Sequence, residues 1–259
     1  MKASTFLSVL VALLVTAVAS ADDVSTLTPA VDETETPQAL SRDASRVYAA
    51  AKGSLFQVRV LTSTGRSLAT AGSGFMVGDN GLAITNYHVV AKLVTDPKRY
   101  VAEVLDTAGQ RDVITVLKID VLHDLALIRI NKQRAWPALR ISSKTLKQGE
   151  RLYAIGNPLD LGFAISEGSF NGLITRPYYP QILFSGAINS GMSGGPAVDG
   201  SGAVVGVNVS KRLDGEQISF LVPAKFVTAL IEQGKTVTAQ PTQQEFRRDI
   251  GQQLQVHQN

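Results

Sequence analysis

The sequence predicts an all-β protein of two six-stranded antiparallel barrels closed by a short C-terminal helix, and three observations predict it. Short runs that alternate apolar and polar residues recur from Ser54 to Val222. Glycine, proline or asparagine punctuates most of the gaps between them, and the runs divide into two sets of about six. No cysteine is present, so no disulfide holds the chain together, and its 259 residues, 44% of them hydrophobic, must supply a core.

Taken in order, residues 1–21 read as a cleaved signal peptide, with Lys2 ahead of the apolar run Phe6 to Val18 and small residues at Ala19-Ser20-Ala21. That run is shorter than the roughly 20 residues that span a bilayer, so cleavage before Asp22 is expected, a retained anchor being the alternative. Residues 22–44, rich in Asp, Glu, Thr and Pro, form a flexible linker. The folded domain covers residues 45–236, with a helix over Ser41 to Ala51 that Ser41 can cap.

The first set of strands is Ser54 to Val60, Gly74 to Val77, Leu82 to Thr85, Tyr100 to Leu105, Val113 to Ile119 and Leu125 to Ile130. Turns are expected at Asp79-Asn80-Gly81 and Ala108-Gly109. The second set is Arg151 to Ile155, Phe163 to Ile174, Gln181 to Phe184, Pro196 to Val198, Ala203 to Val209 and Gln217 to Val222, after which Ala224 to Gln233 is the closing helix. Residues 237–259 form a polar, Gln-rich tail. Its Phe246 and Ile250 do not by themselves make a helix face, so the tail reads as mostly disordered, with a helix that docks a partner as the other use.

Charge and motifs exclude several functions. The net charge is +3, one unit of it from Lys2, and implies neither a nucleic acid nor an anionic membrane as partner. Without a Walker loop, a Cys/His metal spacing or an aromatic-basic stripe, no cofactor and no metal are expected.

Gly191-Met192-Ser193-Gly194-Gly195-Pro196 carries chemistry. A serine between glycines exposes its hydroxyl, and the backbone N–H groups of Gly191 and Ser193 can converge on the oxyanion formed when that hydroxyl attacks a carbonyl. A serine needs a base, and histidine is the side chain whose ordinary pKa lies nearest neutrality. Of the three histidines, His257 lies in the tail and His123 adjoins Asp124, where strand alternation aims the two apart, which leaves His88 at the end of an apolar strand. Asp124 heads the run Leu125-Ala126-Leu127, and Asp120 is its rival, read as a turn residue. The same serine motif also matches the Gly-x-Ser-x-Gly nucleophile elbow of α/β-hydrolases. That fold needs a helix directly after the serine and a downstream histidine, and Gly194-Gly195-Pro196 is a poor helix start.

Gly72-Ser73-Gly74-Phe75, Thr85-Asn86-Tyr87-His88-Val89-Val90, Asp124-Leu125-Ala126-Leu127, the Ser193 loop and Ile218-Ser219-Phe220-Leu221-Val222-Pro223 together resemble the trypsin-like serine peptidases, most closely their HtrA (Deg) branch. The resemblance implies a chymotrypsin-like pair of barrels with a triad across the cleft: His88 as general base, Asp124 as its orienting carboxylate, Ser193 as nucleophile, and Gly191 and Ser193 as the oxyanion hole. It also places Ala187 at the floor of the primary pocket and Val207, Asn208 and Val209 on its wall, with no acidic residue at the floor to meet a cationic side chain. Gly156-Asn157-Pro158 resembles a structural turn of the family.

Two departures follow from the resemblance. Met192 stands where HtrA-like members usually carry asparagine, which predicts an oxyanion loop held less firmly, low basal activity and a faster Met192→Asn variant. The chain also ends before a PDZ domain could fit. The implied activity is an exported, periplasmic or extracellular serine endopeptidase acting on unfolded or damaged polypeptides. The alternative is a peptide-binding or chaperone-like module with a poorly formed oxyanion hole. A homo-oligomer or a partner docked on the tail stays open.

Overall fold

The structure is a computed structural model that describes residues 41–78, 80–131, 136–175, 177–209 and 219–256. The expected signal peptide, most of the linker and His257 lie outside the described residues, as do Asp79 of the first turn and residues 217–218 of the last expected strand. α1 (Arg42–Ala51) opens the described chain, and Ser41 caps it by accepting the Ala44 N–H on its hydroxyl at 3.1 Å.

The first barrel contains β1 (Leu55–Thr62), β2 (Leu68–Met76), β3 (Leu82–Thr85), β4 (Tyr100–Asp106), β5 (Arg111–Asp120) and β6 (Leu125–Ile130). They close in the order β1-β2-β3-β6-β5-β4. The second contains β7 (Arg151–Gly156), β8 (Ala164–Ile174), β9 (Gln181–Phe184), β10 (Pro196–Asp199), β11 (Val204–Val209) and β12 (Ser219–Pro223), closing as β10-β11-β12-β9-β8-β7. Every strand pair in both barrels is antiparallel, so short turns suffice to connect neighbours.

Strand alternation divides the apolar side chains between barrel interiors and the seam. On β6, Ala126, Ile128 and Ile130 fill the first barrel, while Leu125 and Leu127 join a cluster shared with the second. On β7, Leu152 and Ala154 fill the second barrel, and Tyr153 and Ile155 face the same seam. A residue period of two thus builds three cores from two sheets. The seam cluster also takes Val47 of α1 and Val227 and Leu230 of α3 (Ala224–Gly234), so both helices cover the joint.

Two expectations need correction. His88 does not end a strand: it lies in α2 (Tyr87–Thr95), whose Val89, Val90, Leu93 and Val94 share one buried face at helical spacing. The tail is not disordered over its described part, where α4 (Gln243–Val256) forms a helix. Thr242 and Glu245 make its capping box, the Thr242 N–H donating to Glu245 Oε2 at 2.7 Å and the Glu245 N–H to Thr242 Oγ1 at 3.2 Å. Phe246, 3% exposed, and the partly buried Ile250 then anchor it on the first-barrel cluster.

Candidate active site

Asn86 ends the approach from β3 and spends its side chain on the β5–β6 turn instead of on its own helix. Its Nδ2 donates to the Asp124 carbonyl at 2.7 Å, and the Tyr87 N–H donates to the same oxygen at 3.1 Å. The start of α2 is thereby tied to the residue that heads β6. Asp124 adopts φ 54°, a left-handed conformation that aspartate tolerates better than most residues.

That conformation directs the Asp124 carboxylate back onto His88 at two points. The His88 N–H donates to Oδ1 at 2.9 Å, and Nδ1 meets Oδ2 at 2.7 Å. An ionised carboxylate only accepts, so the Nδ1 contact assigns the ring proton to Nδ1 and leaves Nε2 as the acceptor. The negative charge also sits at the N-terminus of α2, where the helix dipole favours it. The His88 side chain is 48% exposed, open enough to be reached from solvent. Burial raises the Tyr87 phenol above its ordinary pKa and the Asp124 charge adds to this, so Tyr87 stays neutral beside the pair.

The loop between β9 and β10 carries Ser193 and is pinned to β2. The Ser73 N–H donates to the Ser193 carbonyl at 2.7 Å, and the Ser73 hydroxyl donates to the Gly191 carbonyl at 2.7 Å while accepting the Asn157 N–H at 2.9 Å. Close approach explains the glycines. A Cβ on Gly72 would lie 2.5 Å from the Val89 side chain and 3.0 Å from the Ser193 carbonyl, and one on Gly194 would lie 2.3 Å from the Ser73 carbonyl and 2.8 Å from the Asn86 nitrogen. The Ser193–Gly194 backbone therefore packs against the segment that begins α2, and the structure brings the Ser193 loop beside the His88–Asp124 pair.

Met192 behaves unlike the loose substitute expected of it. Its side chain is 2% exposed and belongs to the second-barrel core with Phe170, Phe184 and Ile188, and the Asn189 N–H points at its sulfur at 3.5 Å. Its carbonyl accepts the Gly195 N–H at 3.1 Å and the Asn208 amide at 3.3 Å. Apolar burial holds the loop where a polar side chain was expected to be needed.

The residues expected on the pocket wall lie on β11. Val207 and Val209 are buried in the seam cluster, and the buried Asn208 spends its amide on the Ile155 and Met192 carbonyls while its backbone bonds Gly194 and Gly195. Asn208 thus clamps the loop while the two valines face the seam, whereas Ala187 is exposed. Asp120, read from the sequence as a turn residue, is the last residue of β5. Its carboxylate accepts the His123 N–H at 3.0 Å and meets His123 Nδ1 at 2.6 Å, and the His123 ring stacks on Phe226 of α3 at 3.7 Å. Among the described residues no group of three His, Cys, Asp or Glu side chains is placed to hold a metal ion.

Two closed six-stranded barrels with a histidine–aspartate pair beside a glycine-flanked serine loop define a protein of the chymotrypsin-like fold. A profile of the trypsin-like peptidase domain matches residues 72–207, more than half of the chain, and the protein belongs to that family. Among curated proteins it is 35% identical over 174 residues to serine protease HTRA2, mitochondrial, of Drosophila willistoni, covering 63% of this chain and 38% of that one. It is 32% identical over 198 residues to a probable periplasmic serine endoprotease DegP-like of Bartonella henselae, covering 70% and 38%. The chain thus spans under two-fifths of the length of these relatives. Among solved structures, Deg5 superposes with a TM-score of 0.63 at 27% identity, covering 74% of this chain and 95% of Deg5. The active form of the Rv3671c protease from M. tuberculosis superposes at 0.66 with 22% identity, covering 76% and 87%, a likeness of fold.

Proposed function

We propose that the protein is an exported serine endopeptidase that cleaves unfolded or damaged polypeptides through His88, Asp124 and Ser193. The observation that carries this reading is the two-point grip of the Asp124 carboxylate on His88, with the Ser193 loop packed beside it. In the proposed cycle Ser193 Oγ attacks the scissile carbonyl, His88 Nε2 takes its proton, and the oxyanion is met by the Gly191 and Ser193 N–H groups. His88 then protonates the leaving amine, and water, activated by the same base, hydrolyses the acyl-enzyme. Ala187 is exposed, and an alanine in place of an acidic residue at the floor position favours small or medium aliphatic side chains before the scissile bond. Export is supported by the pattern of residues 1–21 and by the word periplasmic in the name of the Bartonella relative.

Reaction with a serine-directed fluorophosphonate, together with cleavage of an unfolded protein substrate, tests the reading. Ser193→Ala should abolish labelling and lower cleavage on the order of 10⁴-fold or more, because the triad acts as a unit. Cleavage that survives in full in that variant removes the assignment. Tight peptide binding by a parent that neither labels nor cuts would favour a peptide-capturing module instead.

A further inference from the structure

α4 lies outside the span matched by the trypsin-like profile, yet its contacts converge on both halves of the His88–Asp124 pair. Toward His88, Phe246 and Ile250 pack into the cluster that holds Val89, Val90 and Leu93 of α2, and the Gln243 side-chain amide donates to the Thr95 carbonyl at the end of that helix. Toward Asp124, Lys118 Nζ pairs with Asp249 Oδ2 at 2.9 Å. Gln253 adds a contact of a different kind. Its Oε1 accepts the Val121 N–H at 2.7 Å and its Nε2 donates to the Ile119 carbonyl at 2.9 Å, so one side-chain amide pairs with the backbone at the end of β5 as a strand would.

The residue between those two backbone groups is Asp120. Its carboxylate holds both the N–H and the ring of His123, the Val121 carbonyl accepts the Asp124 N–H at 3.4 Å, and Asp124 itself stands at φ 54°. From Gln253 to the Asp124 carboxylate there is a continuous chain of hydrogen bonds and covalent bonds within five residues of backbone, Ile119 to His123. Histidine and aspartate come from different elements, a helix and a turn. Besides β6, which pairs with the end of β5, α4 packs on the helix and also bonds the backbone leading into the turn.

We propose that α4 is a built-in strap for the His88–Asp124 pair and that Gln253 is a positioning residue acting through the Ile119–Asp124 backbone. The kinetic consequence rests on the peptidase reading above, and the geometric one does not. Loss of the Gln253 pairing frees the Val121 and Ile119 groups to bond water, lets the turn shift, and loosens the carboxylate from the ring. A misplacement of about 1 Å in a catalytic group costs about 10²-fold in rate, so partial loosening should lower kcat on the order of tenfold while KM holds, because Gln253 touches no substrate.

The experiment uses the full chain with Gln253→Ala, and Gln253→Met as a second variant that keeps the length of the side chain and loses both hydrogen bonds. Turnover is measured on a quenched peptide, and the His88 Nδ1 proton is followed by its far-downfield resonance in the Ser193→Ala background. The strap requires both variants to lose kcat at constant KM and to broaden or shift that resonance upfield. A parent-like resonance in the Met variant, whatever its turnover, overturns the proposal, as does parent-like kcat in both. If the parent itself shows no turnover, the peptidase reading falls, and the resonance alone decides the strap.

Discussion

Met192→Ala is the sharpest perturbation of the Ser193 loop, because the side chain at 192 is an apolar plug 2% exposed between Phe170, Phe184 and Ile188. Truncating a buried methionine costs about 2–5 kcal/mol through lost transfer energy and the cavity left behind. The plug sits on a backbone with little room to follow, since a Cβ on Gly156 would already lie 2.7 Å from the Met192 Cα. Collapse is therefore limited, and the cost should fall in the middle of that range, lowering Tm by roughly 2–4 °C per kcal/mol in a domain of this size. Met192→Asn should also destabilise. The Asn189 N–H could bond the new carbonyl, but the amide NH₂ would face the second-barrel core, and an unsatisfied buried donor costs about 1–3 kcal/mol. Because Met192 separates the Gly191 and Ser193 N–H groups, both variants should also lose turnover, by up to the 10²–10³-fold typical of one lost oxyanion donor. Met192→Leu conserves volume and should cost under about 1.5 kcal/mol. Urea unfolding at constant m-value and kcat on one peptide substrate decide it. A Met192→Ala protein within 1 kcal/mol of the parent, or a faster Met192→Asn protein, would show that the loop is ordered without its plug.

Two further outcomes follow. Burial by itself would raise the Asp199 carboxyl, but hydrogen bonds from the Ser201 hydroxyl and the Ala203 and Ser201 N–H groups outweigh it and hold the group below its ordinary value. A depressed folded pKa gives stability that is fully present above the unfolded value of about 3.9 and lost as pH falls through the folded one, so the stability gap between parent and Asp199→Asn should close on acidification below that range; a gap independent of pH would mean that the carboxylate contributes nothing as a charge. Digest products analysed by mass spectrometry should end mainly in small or medium aliphatic residues, and a majority ending in Lys or Arg would mean that Ala187 is not the pocket floor.

The strands were legible because their signals are local. Leu82–Thr85, Leu125–Ile130 and Gln181–Phe184 begin and end where alternation and turn residues place them. The helices were less legible for reasons that can be named. In α2, β-branched Val89 and Val90 follow directly on a strand and read as its continuation, yet the spacing of Val89, Val90, Leu93 and Val94 is the period of a helix face. In α4, two apolar residues look too few, while Thr242-Gln243-Gln244-Glu245 spells a capping box that announces the helix. Other features lay beyond any local pattern. That Val207 faces the seam and that Asn208 turns its amide onto Met192 both depend on which segments the closed barrels bring together. The side chain of Met192 was misjudged because its polarity was weighed and its destination was not.

With no cysteine to lock the barrels together, the register between the proposed nucleophile and its base has to come from the seam, and one residue of β2 concentrates it. Ser73 donates its N–H to the Ser193 carbonyl and its hydroxyl to the Gly191 carbonyl, accepts the Asn157 N–H on that hydroxyl, and accepts the Thr85 hydroxyl at 2.8 Å on its own carbonyl. Three of these bonds reach the second barrel, and the fourth reaches the strand that leads through Asn86 to His88. A relative slide of the barrels by an ångström would strain all three cross-seam bonds at once, and each buried group left unpaired costs about 1–3 kcal/mol. Glycine on either side of Ser73 fits this close packing: a Cβ on Gly72 would strike Val89 and lie 3.0 Å from the Ser193 carbonyl, and one on Gly74 would lie 2.3 Å from the Phe56 ring within the first barrel. The Gly-Ser-Gly sequence of β2 therefore belongs to the candidate site as much as the Ser193 loop does, because it holds the Gly191 and Ser193 carbonyls on either side of Met192 before any substrate arrives.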